Sequence, residues 1–306
     1  MFNIDATAVN LNVKLYPMKH ALILVLTLLM FSISPGSQLL AQDKQDELVL
    51  TTRDKEIVDT ILLQLKKDQK FETGLLIIKV GKLLLETPYV ANTLETGGNE
   101  KMVVNLRGLD CTTFAENCLA LARTIQNENP TFNKFVEELK YIRYRDGLLN
   151  EYPSRLHYFS DWIFNNDKKK TVKSISSEFG NIPLYVKVSF MSKHPELYPA
   201  LKNNPEFVRT ISIQEDEISN RKTWYIPKNR FAEFEHLMHD GDILGITTNM
   251  PGMDISHVVI AIHKEGRIHI IHASLKHKKV IISSETLEQY LNHYKSITGI
   301  MVARPL

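Results

Sequence analysis

The stretch that decides the reading is "LRGLDCTTFAENC", Leu106–Cys118, which carries both cysteines of the 306-residue chain. Asp110 is a residue type that caps helix N-termini, and Phe114, Cys118, Leu121, Ala122 and Ile125 follow at helical spacing. The pattern predicts a helix opening at Asp110, with Cys111 in its first turn and Cys118 two turns later. Seven residues of helix rise about 10.5 Å, whereas a disulfide needs Cα atoms within roughly 7 Å. The two thiols therefore cannot bond to each other while the helix exists. Cys118 falls among apolar residues and is expected in the core. Cys111 falls where unpaired N–H groups and the positive end of the helix favour an anion. Its pKa is expected to be lowered, and thiolate is the nucleophilic form. The same N–H groups suit an oxyanion.

A cysteine nucleophile needs a base, so the eleven histidines matter next. His257 lies in "DISHVVIAIH" and His272 in "IHIIHAS", two apolar stretches joined by the short turn "KEGR". They read as an antiparallel hairpin. A two-residue turn at Glu265-Gly266 opposes Val259 to His272 and His257 to Ser274. His257 and His272 are then diagonal neighbours on one face, flanked by the small residues Ser256 and Ala273. One imidazole suits a base for Cys111 and the other suits an orienting partner. A metal site is the competing reading, through His236 and His239. No H-E-x-x-H and no paired cysteines occur, and these two histidines precede "DGD", a turn into a strand. No metal is expected.

Working outward, Ile57, Ile61, Leu62 and Leu65 predict a surface helix within residues 44–70, and "GLLIIKVGKLLLE" predicts a second one ending before Pro88. "TPYVANTLETGGNE" reads as a loop. Leu139 to Trp162 reads as mixed strand, loop and short helix, and Lys168–Lys170 as a solvated turn. From Thr171 to Phe231 the expectation is short β segments ("KTVKSISS", "RTISIQ", "TWYIP") around a helical "FMSKHPELYPALKN". Five strands close the chain: "GDILGITT", "SHVVIAIH", "RIHIIHAS", "KVIISS" and "SITGIMVAR". Helices first and an antiparallel meander afterwards predict an α+β fold.

The start of the chain has another character. Met18-Lys19-His20 precedes the apolar run "ALILVLTLLMF", which is too short to span a bilayer. "SISPGSQLLA" follows, giving the layout of a secretory signal peptide cut after Ala41, with the start expected at Met18. Removing residues 1–41 leaves 35 basic against 34 acidic residues, which argues against nucleic acid as a partner. The remaining residues, 42–306, suit one large domain with no further apolar run long enough for a membrane span.

Taken in order, "TPYV", "LDCTTF", "DGDILG", "ISHVVIAI" and "IHAS" resemble the NlpC-type papain-like cysteine hydrolases of bacterial cell walls. "RYRDGLLNEYPSRLHYFSDWIFNN", "FMSKHPELYP" and "WYIPKNRF" resemble one branch of them, the N-acetylmuramoyl-L-alanine amidase-like family. The resemblance implies a papain-like fold with the cysteine at a helix N-terminus packed on an antiparallel sheet. It also implies a middle insertion at about 140–232 within a single domain. The implied reaction is hydrolysis of the amide between the muramic acid lactyl group and L-alanine, in peptidoglycan or its fragments, without a cofactor. Cys111 resembles the nucleophile, His257 the general base and His272 the orienting member. Tyr89, Asp110, Arg155, His157, Tyr158 and Ser256 are the implied substrate contacts, with Arg155 suited to a substrate carboxylate. Two positions depart from the pattern or complicate it. Glu86 stands where glycine often precedes "TPY". Asp110 matches an aspartate that in related endopeptidases holds a free L-alanine amine, which would move the cut to the bond after D-glutamate; it also suits a plain helix cap. A D-glutamyl–diamino-acid endopeptidase and a wall-binding module that has lost catalysis are the alternatives. The signal implies export to the periplasm or beyond.

Overall fold

The computed structural model describes residues 48–306. The expected signal segment lies outside the described residues. The first half contains β1 (Leu48–Val49), α1 (Thr52–Gln64), α2 (Thr73–Leu83), β2 (Met102–Val103), α3 (Cys111–Ile125) and α4 (Phe132–Arg143). α1 opens on a capping box in which Thr51 and Asp54 satisfy each other's backbone N–H groups. Asp54 is fully buried because it does more than cap. Its Oδ1 also accepts the Leu106 N–H at 2.9 Å and the Arg107 guanidinium at 3.1 Å. The first helix thus grips the segment that leads into α3.

α3 packs between α2 and α4 and against the central hairpin. Phe114, Cys118, Leu121, Ala122 and Ile125 are buried as their spacing predicts. A fully buried Leu, Ile or Phe contributes roughly 1.5–3 kcal/mol, so packing rather than propensity holds this helix. Glu116 on the same helix is buried too. It is neutralised by Arg143 at 2.7 Å, whose guanidinium also donates to the Val103 carbonyl at 2.7 Å.

The middle of the chain holds α5 (Phe159–Lys168), β3 (Val172–Ser174), β4 (Pro183–Leu184), α6 (Pro205–Asn220), β5 (Thr223–Trp224) and β6 (Ile226–Pro227). Three expectations are corrected here. "RTISIQ" is not a strand; it lies inside α6. Asn204 caps that helix by accepting the Phe207 N–H, Pro205 sits at its first position, and Ile211, Glu215 and Ile218 bury one face. Six residues of apparent alternation concealed a 3.6-residue period that only the longer window reveals. Leu139–Arg143 closes α4 rather than forming a strand. Lys169 is not a free turn residue, because its ammonium donates to the Tyr144 carbonyl at 2.9 Å and to that of Tyr141. "FMSKHPELYPALKN" forms three short helical turns, as expected.

The last part supplies β7 (Ile243–Thr248), β8 (Ile255–Lys264), β9 (Arg267–Ser274), β10 (Lys279–Ile282), α7 (Leu287–Asn292) and β11 (Ile297–Pro305). The main sheet runs β10-β9-β8-β7-β11-β3, with β6 also paired to β11, and every pairing is antiparallel. The architecture is α+β. Val258, Ile260, Ile271 and Ala273 join the core shared with α1, α2 and α3, while Val259, Ala261, Ile268 and Ile270 pack with Leu287 and Leu291 of α7. Among the described residues no helix is long and apolar enough to cross a membrane.

Candidate active site

Asp110 is the N-cap of α3. Its Oδ1 accepts the Thr113 N–H at 2.8 Å, and the Thr113 hydroxyl accepts the Asp110 N–H at 2.9 Å. Cys111 is therefore the first residue of the helix, and its own N–H has no acceptor among the described residues. The approach is fixed by a parallel bridge in which Leu109 N–H donates to Pro88 and Val90 N–H donates to Leu109. Gly108 permits that contact, since an added Cβ would lie 2.6 Å from a Val90 methyl. Tyr89 is held beside the cysteine as a result. Glu86, the departure noted in the sequence, adopts φ 69°, a left-handed conformation that favours glycine.

The hairpin has the register its turn implied. Glu265 and Gly266 both have positive φ, Lys264 pairs with Arg267, and Ile260 opposes Ile271. His257 and His272 share a face, and His257 Nε2 lies 2.6 Å from His272 Nδ1. One further feature aims His257. Ile246 pairs with His257 but Thr247 pairs with Ile255, so Ser256 is an extra residue in a β-bulge.

Cys111, Ser256 and His257 line one cavity of about 250 Å³. Its far wall comes from Leu156, His157, Tyr158, Phe159 and Trp162, from Phe190, Met191 and Tyr198, and from Met253 to Ile255. Burial governs the charges inside it. The Cys111 thiol is half-buried, and burial followed by the adjacent Asp110 carboxylate pushes it up to about 11. The Val258 N–H and the Thr112 hydroxyl pull it the other way but do not prevail. This corrects the expectation of a lowered thiol pKa: the favourable helix end is outweighed by desolvation and by the charge of its own cap. Burial also lowers His257 to about 4 and, with His257 as a neighbour, lowers His272 to about 3. At neutral pH all three groups are uncharged. Cys118 is fully buried in the core and is not bonded to Cys111.

The other expected contacts divide. Tyr89 is half-buried and its phenol is pushed up to about 12, by burial first and then by the Cys111 and Asp110 charges. Ser256 is exposed at the rim. His157 donates from Nε2 to the Tyr152 carbonyl at 2.9 Å, which leaves Nδ1 as an acceptor on the cavity wall. Tyr158 contributes its ring, but its hydroxyl is committed, donating to Glu215 at 2.7 Å and accepting the Met191 N–H at 3.1 Å. Arg155 does not line this cavity. It is 8 % exposed and is held by Glu100 at 2.7 and 2.8 Å and by Glu95 at 2.6 Å. Its guanidinium is spent on folding the loop before β2, so the expectation of a free carboxylate receptor there is corrected.

Sequence reasoning missed Tyr290 on α7. Its ring centroid lies 6.3 Å from that of His257 and 6.0 Å from that of His272, and it interacts electrostatically with Cys111. Nothing in its local sequence marks it, because α7 returns to the site only through tertiary packing. Phe190 and Tyr198 were equally invisible as cavity residues.

The family model for N-acetylmuramoyl-L-alanine amidase-like proteins matches residues 79–300. A solved N-acetylmuramoyl-L-alanine amidase from Bacteroides uniformis ATCC 8492 is 37% identical with a TM-score of 0.73, covering 76% of this chain and 99% of that one. A Bacteroides fragilis structure named as a candidate xylanase is 40% identical with a TM-score of 0.70, covering 73% and 98%. A Legionella pneumophila protein, 20% identical with a TM-score of 0.63, shares the fold over 83% of this chain and 95% of its own. No curated protein matches the chain.

Proposed function

The chain belongs to the N-acetylmuramoyl-L-alanine amidase-like family, and on that premise we propose that it cleaves the amide between N-acetylmuramic acid and L-alanine in peptidoglycan or its fragments, with Cys111 as nucleophile. The observation that supports the reading is the His257 Nε2 to His272 Nδ1 contact of 2.6 Å on the antiparallel sheet, with Cys111 at a helix N-terminus lining the same cavity as His257.

With His257 as the base, the ring contact sets the proton positions. For His257 to take a proton at Nδ1, Nε2 must carry hydrogen and donate to His272 Nδ1, so His272 carries its own proton on Nε2. His257 Nδ1 is then the lone pair available to the thiol. Because Cys111 rests neutral, proton transfer is coupled to attack: the Cys111 proton passes to His257 as sulfur bonds to the carbonyl carbon. The developing negative charge settles on the carbonyl oxygen, where the Cys111 N–H is free to donate. His257 then gives the proton to the departing L-alanine nitrogen, leaving a thioester. Water, deprotonated by His257, releases the muramic acid carboxylate and restores the thiol. Export to the periplasm or beyond is part of this proposal.

A second reading keeps one observation. Asp110 Oδ1 is occupied by Thr113, while Oδ2 has no partner among the described residues. An endopeptidase would use such an oxygen for a free L-alanine ammonium. Glycoside hydrolysis fits poorly, because it needs two carboxyl groups flanking the bond. Of the carboxyls here, Asp110 caps α3 and Asp254 spends both oxygens on the Ser160 and Ile255 N–H groups at 2.7 and 2.8 Å. Mass analysis of products from a defined muropeptide tests the proposal. Release of intact stem peptide and a peptide-free sugar is expected. Cys111→Ala should abolish it and Cys118→Ala should preserve it; cleavage after D-glutamate, or equal loss in both variants, overturns the assignment.

A further inference from the structure

A second and larger cleft adjoins the catalytic cavity. Its volume is about 690 Å³, and Phe190 and Met253 line both spaces, so a ligand extending from Cys111 over these two side chains enters it. The rest of its wall comes from β4 and the residues after it, from the short helical turn at Phe190–Lys193, and from the β7–β8 loop. No aspartate or glutamate lines it. Lys187 and Lys193 do, both are exposed, and neither pairs with a carboxylate among the described residues. Asn249 and Thr298 add neutral polar groups.

Three nearby arginines, by contrast, are already paired, Arg155 with two glutamates and Arg145 and Arg221 with Asp161. Two unpaired ammonium groups in a concave, carboxylate-free space focus positive potential on whatever occupies it. The two halves of the proposed substrate differ in charge. The N-acetylated sugar is neutral, since the muramic acid carboxyl is consumed in the scissile amide. The peptide stem is anionic, because a γ-linked glutamate keeps its α-carboxylate and the following residues add more.

Resting on the amidase reading, we propose that this cleft receives the peptide stem on the amine side of the scissile bond, with Lys187 and Lys193 as counter-charges to its carboxylates. Substrate polarity follows: the stem runs past Phe190 and Met253 toward β4, and the sugar leaves Cys111 in the opposite direction. The lysines discriminate acidic stems from amidated ones without touching the reacting atoms.

The test uses the full chain carrying Cys111→Ala and calorimetric titration with two muramoyl tripeptides, one with D-glutamate and one with its α-carboxamide. The expected result is tighter binding of the acidic ligand, and about a tenfold loss of that advantage in Lys187→Met/Lys193→Met, with the amide ligand little changed. Equal loss for both ligands, or no loss for either, overturns the proposal. Thermal melting of the variant checks that these exposed substitutions leave the fold intact. Product analysis with the unsubstituted enzyme on the same two ligands reports separately on the amidase reading, so a wrong bond and a wrong cleft give different outcomes.

Discussion

The neutral resting thiol makes a quantitative prediction. A shift of the Cys111 thiol to about 11 puts it roughly two units above an ordinary thiol, about 2.7 kcal/mol in favour of the protonated form. At pH 7.5 its thiolate fraction falls to about one in 3,000, on the order of a hundredfold below a solvent-exposed cysteine. Higher basicity makes the thiolate intrinsically more nucleophilic and returns close to a factor of ten, so alkylation should be about tenfold to hundredfold slow. The assay is iodoacetamide modification followed by mass spectrometry between pH 6 and 10.5, in a Cys118→Ala background so that one thiol reports. The rate should still be rising at pH 10. Asp110→Asn isolates one cause, because asparagine retains a capping oxygen while removing the charge beside sulfur. That variant should react faster at every pH below the plateau. A midpoint at or below pH 8 would refute the reasoning and restore a resting thiolate–imidazolium pair. An Asp110→Asn variant that reacts no faster would remove the carboxylate as a cause.

Four further outcomes are expected. A base must be unprotonated to act, so with His257 at about 4, kcat/KM should hold from pH 7 to about 5 and fall only near 4. The unfolded chain binds protons on His257 and His272 from about pH 6.5 downward while the folded state resists until about 4 and 3. Stability should therefore drop by up to about 2 kcal/mol per histidine by pH 5, measurable by urea unfolding. Arg155→Met strands the buried Glu100 and should cost about 3–5 kcal/mol in the same assay; an undiminished midpoint with a raised KM would return Arg155 to substrate binding. Glu86→Gly relieves a left-handed residue by about 1 kcal/mol and loses an exposed Lys279 pair worth about 0–1 kcal/mol, so its melting temperature should be unchanged or slightly raised.

The parts of the site legible in the sequence are those encoded locally. A capping residue with a 3.6-residue apolar period located α3, and a two-residue turn with alternating strands set the register that brings His257 to His272. Where sequence reasoning failed, the cause is distant or cumulative. The Cys111 pKa depends on burial that no neighbour in the chain encodes. Arg155 is claimed by Glu95 and Glu100, which stand sixty and fifty-five residues earlier. Tyr290 arrives from a helix that carries no motif, and Phe190 and Tyr198 lie in "FMSKHPELYP", a stretch whose resemblance does not say which of its side chains face the cavity. For α6, the six residues of "RTISIQ" show either period, and the cap at Asn204 and Pro205 is the discriminating signal.

The half-buried, protonated sulfur also bears on durability. Peroxide and other oxidants attack the thiolate, and the first product, a sulfenic acid, is the step toward irreversible loss. Under the proposed mechanism, a nucleophile that surrenders its proton only to a seated amide offers oxidants little to react with. Cys118 is too deep in the core to serve as a resolving thiol, so the chain has no repair route through its own disulfide. On that mechanism, chemical idleness between turnovers protects the sulfur, at the cost of a slower first proton transfer.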